Sequence, residues 1–156
     1  MTIGIYKQSA RDIMTKHVDT IRTKETVHDA LLLMAENRVS SLPVINMVGE
    51  VVGVVSQSDL IDLAREADGE DQDKRNGYSD FLFNEVALDQ VTNERIEDVM
   101  SDEVISALPD DSVVGVAEKM VSFGIHHLPV CNDEKKLLGI ISTVDILKSL
   151  LNPVGA

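Results

Sequence analysis

The sequence predicts an α+β fold in which two tandem β-α-β-β-α units pack around a pseudo-twofold axis. Two observations carry this expectation. First, the chain repeats itself: Met14 and Met100, Pro43 and Pro129, Gly53 and Gly139, and Asp59 and Asp145 each stand 86 positions apart. Residues 12–64 therefore align with 98–150 without a gap, which marks a duplication. Second, both copies carry the same succession of short apolar runs around one helical stripe.

Each copy opens with an extended stretch, Val18 to Arg22 or Val104 to Leu108. A helix start follows at Thr26 or Ser112, whose hydroxyl can accept from the free N–H groups of the first turn. The next apolar residues recur at helical spacing: Val27, Ala30, Leu31 and Met34 in the first copy, Val113, Val116, Ala117 and Met120 in the second. That spacing gives each helix one buried face. Gly124 suits a left-handed helix end. Two strands are expected next, Leu42 to Asn46 and Val51 to Ser56, matched by Leu128 to Asn132 and Leu137 to Ser142. A last helix starts near Ser56 or Ser142. Its apolar residues (Leu60, Leu63 and Ala64; Ile146, Leu150 and Leu151) exceed what the unit's own sheet can cover, so an exposed association face is expected in both copies. The boundaries follow: residues 1–64 form the first unit with its lead-in segment, 65–95 a linker, and 96–156 the second unit. The linker begins as a solvated acidic loop, and Phe81, Phe83, Val86, Ala87 and Val91 suggest a docking helix within it.

Composition narrows the function classes. Aromatics are 3% of the 156 residues and tryptophan is absent, so the core rests on aliphatic side chains and a stacking platform for single-stranded nucleic acid is not expected. The 27 acidic against 14 basic side chains give a net charge of −13, which repels phosphate backbones and anionic membranes. Neither nucleic acid nor membrane is an expected partner. No stretch reads as a signal peptide or a membrane span, and the cytoplasm is the expected compartment. Cys131 is the lone cysteine and reads as a small buried hydrophobe.

The sequences Leu42-Pro43-Val44-Ile45-Asn46 and Gly53-Val54-Val55-Ser56-Gln57-Ser58-Asp59 recur as Leu128-Pro129-Val130-Cys131-Asn132 and Gly139-Ile140-Ile141-Ser142-Thr143-Val144-Asp145. With Met14 and Met100 before them, these motifs resemble the CBS domain pair, or Bateman module. The linker Phe83-Asn84-Glu85-Val86 is similar to stand-alone two-CBS proteins, and no catalytic domain is expected beside the pair. The resemblance implies a regulatory module that binds an adenosine-containing ligand: AMP, ADP, ATP or S-adenosylmethionine. It also implies a homodimer in which four units form a flat disc.

Ser56, Ser58 and Asp59 admit two readings on chemistry alone. They can cap a helix, serine at its head and aspartate in its first turn. The same geometry can hold a ligand, because free N–H groups at a helix start attract phosphate and an ionised carboxylate accepts from both hydroxyls of a ribose. The resemblance places Asp59 and Asp145 on the ribose and Ser56, Ser58 and Ser142 near phosphate. The copies differ: the first has Ser40 and Ser41 where the second has His126 and His127, and Val144 replaces the hydroxyl of Ser58. The histidine pair resembles the family's phosphate-contacting pair, and its charge should fade above neutral pH. The resemblance shares each cleft between copies. It sets His17, Val18 and Val39 beside the Asp145 site, and Glu103, Val104 and Ile125 beside the Asp59 site. No nucleophile, paired-base or metal-ligand spacing occurs, so the chain is expected to be no enzyme, to need no cofactor and to hold no metal. The alternative is a scaffold or dimerisation module that binds no nucleotide. Any regulated partner is left unidentified by the sequence.

Overall fold

In the computed structural model, residues 7–67 and 91–151 are described. The elements run α1 (Ala10–Ile13), β1 (Ile21–Arg22), α2 (Val27–Asn37), β2 (Ser41–Ile45), β3 (Val51–Ser56), α3 (Gln57–Ala67), α4 (Ile96–Val99), α5 (Val113–Phe123), β4 (His127–Cys131), β5 (Leu137–Ser142) and α6 (Thr143–Leu151). Both copies show the expected helix–strand–strand–helix succession, and the fold is α+β. The linker helix falls outside the described residues, apart from Val91, which is buried.

The chain divides into two compact units that cross the boundary between the repeats. Residues 19–46, 52–67 and 91–102 form the first-repeat unit, and residues 7–18, 47–51 and 103–151 the second-repeat unit. Each unit therefore carries the body of one repeat and the lead-in segment that precedes the other.

In the first-repeat unit the sheet order is β1-β2-β3, with Ile21 and Arg22 pairing parallel to Val44 and Ile45. Its core gathers Ile21, Val27, Ala30, Met34, Leu42, Val44, Val55, Leu60 and Ile96. Thr26 caps α2 through a reciprocal box: its hydroxyl accepts from the Asp29 N–H at 3.2 Å, and its own N–H donates to Asp29 Oδ2 at 2.9 Å. Thr26 holds the Asp29 carboxyl below the usual carboxylate range through its backbone and then its hydroxyl hydrogen bond, the Coulomb effect of His28 adding less. Helix α4 packs on α3.

In the second-repeat unit β4 and β5 form an antiparallel pair, His127 facing Ser142 and Leu128 facing Ile141. The Ser112 hydroxyl caps α5 by accepting from the Gly115 N–H at 3.0 Å. The short helix α1 packs on α5 and α6, and Ala10 joins a core of Ala107, Val116, Met120, Leu128, Val130 and Ile141. Cys131 is buried, and burial pushes its thiol pKa up.

Two expectations are corrected. The opening strand of the second copy is reduced to one bridge, Ala107 with Val130, where Ala107 donates to Pro129 O and Cys131 donates to Ala107 O, both at 2.9 Å. The next rung of a parallel ladder would need the N–H of residue 109, and Pro109 has none. Thr23 stands at that place in the first copy, where the second rung forms. The association face expected on α3 is also absent: Leu60 and Ala64 are buried, Leu60 in the same core cluster as Ile96, and Leu63 packs on that cluster. Leu150 and Leu151 of α6 are exposed as expected, while Ile146 packs on its core.

The left-handed helix end at Gly124 is present at φ 63°. Arg38 takes the same conformation at the matching place in the first copy, φ 55°. The β-turns reverse the assignment, with Gly49 at φ 82° and Lys135 at φ 60°. No helix of the described residues is long and apolar enough to cross a membrane.

Candidate functional site

The motif glycines have a physical reason. Strand β5 runs beside the lead-in segment of the second-repeat unit: the Thr15 N–H donates to Ile140 O at 2.9 Å and the Ile140 N–H to Thr15 O at 3.0 Å. A side chain at Gly139 would place its Cβ 2.6 Å from Met14 Sδ and 2.9 Å from Thr15 O. The first-repeat unit repeats this: Val54 and Ser101 exchange two bonds of 3.1 Å, and a Cβ at Gly53 would lie 2.5 Å from Met100 Sδ and 2.8 Å from Ser101 O. Each repeat-marked methionine thus lies over the glycine of a strand from the other repeat. The sequence marks Met14 and Met100 as equivalent but carries no side-chain signal for the backbone clamp of Thr15 and Ser101.

Immediately beyond each clamp the strand ends and a helix begins. The Ser56 N–H donates to Asp59 Oδ2 at 2.8 Å, its hydroxyl donates to the same oxygen at 2.7 Å, and the Asp59 N–H donates to Ser56 Oγ at 3.2 Å. Ser142 and Asp145 reproduce this geometry at 2.8, 2.8 and 3.2 Å. Capping is therefore real in both copies. It occupies one carboxylate oxygen of each aspartate; among the described residues Oδ1 of Asp59 and of Asp145 has no hydrogen-bond partner. Both aspartates are half-buried. Each thus presents an acceptor oxygen at a helix start.

The second-repeat unit brings His126, His127, Ser142 and Asp145 together. Strand pairing sets His127 opposite Ser142, and the Thr143 N–H donates to His126 O at 3.0 Å. His126 is exposed and His127 half-buried. Burial, aided by the neighbouring His126 charge and opposed by Asp145, lowers the His127 pKa from its ordinary value. His17 (exposed) and Val18 (half-buried) belong to the same unit, just after the Thr15 clamp. So do Glu103, Val104 and Ile125, the last packing on that unit's core.

In the first-repeat unit, Ser40 O accepts from the Gln57 N–H at 2.9 Å, the counterpart of the His126–Thr143 bond. Ser58 is exposed on the first turn of α3 and takes no part in the cap. Ser41, which matches His127, is buried, and its hydroxyl has no partner among the described residues. Val39 packs on this unit's core. Among the described residues no cluster of three or more His, Cys, Asp or Glu is placed to hold a metal ion.

Two sheet-and-helix units, each ending its motif strand in a serine–aspartate box, define a tandem module rather than two unrelated domains. The chain belongs to the CBS domain family, whose pattern matches residues 10–66 and 96–152. Among curated relatives it is similar to homoserine O-acetyltransferase of Methanococcoides burtonii, with 30% identity over 138 residues. That match covers 88% of this chain and 23% of the relative, so the chain spans less than a quarter of that enzyme. Two solved structures share the fold. One is a CBS domain pair in complex with 5-methylthioadenosine and S-adenosyl-L-methionine, at 24% identity and TM-score 0.70, covering 92% of this chain and 95% of that one. The other is a protein in complex with AMP, at 24% identity and TM-score 0.71, covering 92% and 96%.

Proposed function

We propose that this chain is a non-catalytic regulatory module that binds an adenosine-containing ligand and reports its presence to a partner, acting in the cytoplasm as a homodimer. The observation that carries this reading is that Oδ1 of Asp59 and of Asp145, at the head of a helix, has no hydrogen-bond partner among the described residues. An ionised carboxylate oxygen accepts hydrogen bonds, and the adjoining helix start favours an anion. Asp59 with Ser56 and Ser58 forms one site. Asp145 with Ser142, His126 and His127 forms the other, with His17 and Val18 of the same unit beside it. The similar structures solved with AMP and with S-adenosyl-L-methionine support the ligand class, which includes ADP and ATP.

One observation favours the scaffold alternative: both aspartates already serve as caps. Calorimetry with AMP, adenosine and S-adenosylmethionine on Asp59→Asn and Asp145→Asn separates the readings. Asparagine still offers one oxygen to the serine N–H, so the helix start survives, but an N–H₂ donor replaces the second acceptor. Each loss should weaken binding at its site by roughly 1.5–3 kcal/mol per charged hydrogen bond, with little change in melting temperature. Wild-type affinity in both variants, or no binding by the wild type, overturns the proposal.

A further inference from the structure

Each lead-in segment docks on the repeat it does not precede, and the backbone alone does not dictate that choice. On the second-repeat unit the Ala10 N–H donates to Asp111 O at 2.8 Å and the Arg11 N–H to Pro109 O at 2.9 Å. On the first-repeat unit the matching donors, the N–H groups of Ile96 and Glu97, reach the matching acceptors, Glu25 O and Thr23 O, at 2.9 and 3.1 Å. These bonds suit either lead-in on either repeat. The side chains differ, and in charge they differ in opposite senses. Arg11 Nη2 meets Asp110 Oδ1 at 3.0 Å, whereas Lys24 Nζ meets Glu97 Oε1 at 2.6 Å. Arg11 matches Glu97 and Lys24 matches Asp110 across the 86-position repeat, so one ion pair occurs twice with its signs reversed. Size differs as well: Ala10 in one lead-in stands where Ile96 stands in the other, and both are fully buried.

We infer that the reversed ion pairs, with Ala10 and Ile96, sort the two lead-ins between the repeats. Docked on the repeat it precedes, the α1 lead-in would set Arg11 against Lys24, and the α4 lead-in would set Glu97 against Asp110. Both attractions would become repulsions. The same exchange would leave a cavity at the place of Ile96 and overpack the place of Ala10. Sorting decides which groups reach each serine–aspartate box. The α1 lead-in carries Lys16 and His17 past the Thr15 clamp in the unit that holds Asp145, His126 and His127. The α4 lead-in carries Asp102, the residue matching Lys16, past the Ser101 clamp in the unit of Asp59. Basic groups are thereby gathered at one box and kept from the other. Arg11, Lys24, Glu97 and Asp110 are thus positioning residues for ligand specificity, a consequence that rests on the sites proposed above, whereas the sorting itself needs no ligand.

Exchanging charges tests the sorting. Arg11→Glu with Glu97→Arg sets like charges at both places and should lower the melting temperature by about 2–6 °C. Adding Lys24→Asp and Asp110→Lys restores opposite charges and should return it to within about 1 °C of the wild type, since each ion pair couples only its own partners. High salt should shrink the loss in the double variant, because exposed charges are screened. A double variant as stable as the wild type, or a fourfold variant no better than the double one, overturns the inference. The His17 imidazole signal in nuclear magnetic resonance, assigned with His17→Gln, reads which box receives that lead-in. On addition of AMP it should shift in the wild type and in Asp59→Asn but not in Asp145→Asn. A shift that vanishes in Asp59→Asn and persists in Asp145→Asn overturns the delivery of His17. If AMP binds at neither box, the proposed sites fall and the role in specificity falls with them, while a rescued fourfold variant still upholds the sorting.

Discussion

Replacing Gly139 with alanine should cost this fold far more than an ordinary glycine-to-alanine change in a strand. The added Cβ would lie 2.6 Å from Met14 Sδ, 2.8 Å from Met14 Cγ and 2.9 Å from Thr15 O. The thioether can swing aside because methionine is flexible. The carbonyl cannot, because Thr15 is held to Ile140 by two hydrogen bonds of 2.9 and 3.0 Å. Overpacking of this kind costs about 1–3 kcal/mol, and weakening one clamp bond adds roughly 0.5–1.5 kcal/mol. The expected loss is thus about 2–4 kcal/mol from a total of roughly 5–15 kcal/mol. Urea denaturation followed by circular dichroism measures it. A double-mutant cycle identifies the partner: Gly139→Ala with Met14→Ala should show a favourable coupling of about 1 kcal/mol or more, since truncating the methionine removes two of the three close contacts. Gly53→Ala should couple in the same way to Met100→Ala, whereas Gly53→Ala with Met14→Ala should be additive within about 0.5 kcal/mol. A cost below about 0.5 kcal/mol for Gly139→Ala, or coupling of Met14 to Gly53 instead, would refute the crossed clamp.

Two further outcomes follow from the backbone and from burial. Arg38→Gly and Lys135→Gly should each stabilise by about 0.5–1 kcal/mol, because a left-handed conformation costs an L-residue roughly 1–2 kcal/mol and glycine's extra unfolded-state entropy offsets part of the gain; thermal denaturation showing a loss at either site would contradict this. His127 should make stability fall in mild acid. Its folded pKa lies below its unfolded value, chiefly through burial, so between the two values the unfolded chain binds more protons. Its contribution is full above about 6.5, the unfolded value, and is lost as pH falls from there through the lower folded pKa. The difference in unfolding free energy between wild type and His127→Gln, followed from pH 8 to pH 5, should shrink in that direction, and a flat difference rules out the burial argument.

Most of the local structure was legible in the sequence because short-range chemistry fixes it. Thr26 and Ser112 announce their helices by capping, and the buried stripes of α2 and α5 follow the helical period. What the sequence concealed is carried by backbone groups and by cover from distant segments. Thr15 and Ser101 act through N–H and C=O, which every residue but proline shares, so no residue type betrays them. Leu60 looked surplus on α3 because its core cluster includes Ile96, in the segment leading into the other repeat. The candidate site was legible as residue types, but not that the serine–aspartate pairs would spend only one carboxylate oxygen on capping.

The duplication also argues about chemistry, because two copies of one fold separate what folding requires from what it leaves free. The Ser–Asp box, the methionine over glycine and the hydroxyl caps recur in both copies with nearly the same distances, so folding alone accounts for their recurrence. The differences are not so explained. Ser40 and Ser41 occupy the places of His126 and His127, although both pairs lead into the same strand and Ser40 and His126 make the same backbone bond to the following helix. The exposed hydroxyls of Ser40 and Ser58 can hold a neutral group or share a phosphate with the helix start, but they bring no positive charge to offset the carboxylate. An imidazole pair beside Asp145 can bring that charge once protonated, and the acidity needed to charge His127 exceeds that of an ordinary histidine. The two sites should therefore rank ligands differently. In the calorimetry proposed above, the preference for AMP over adenosine should reside at Asp145 and grow as pH falls, while Asp145→Asn should leave a weaker, pH-insensitive adenosine response at Asp59. An AMP preference that survives Asp145→Asn unchanged would assign phosphate recognition to the serines of the first repeat.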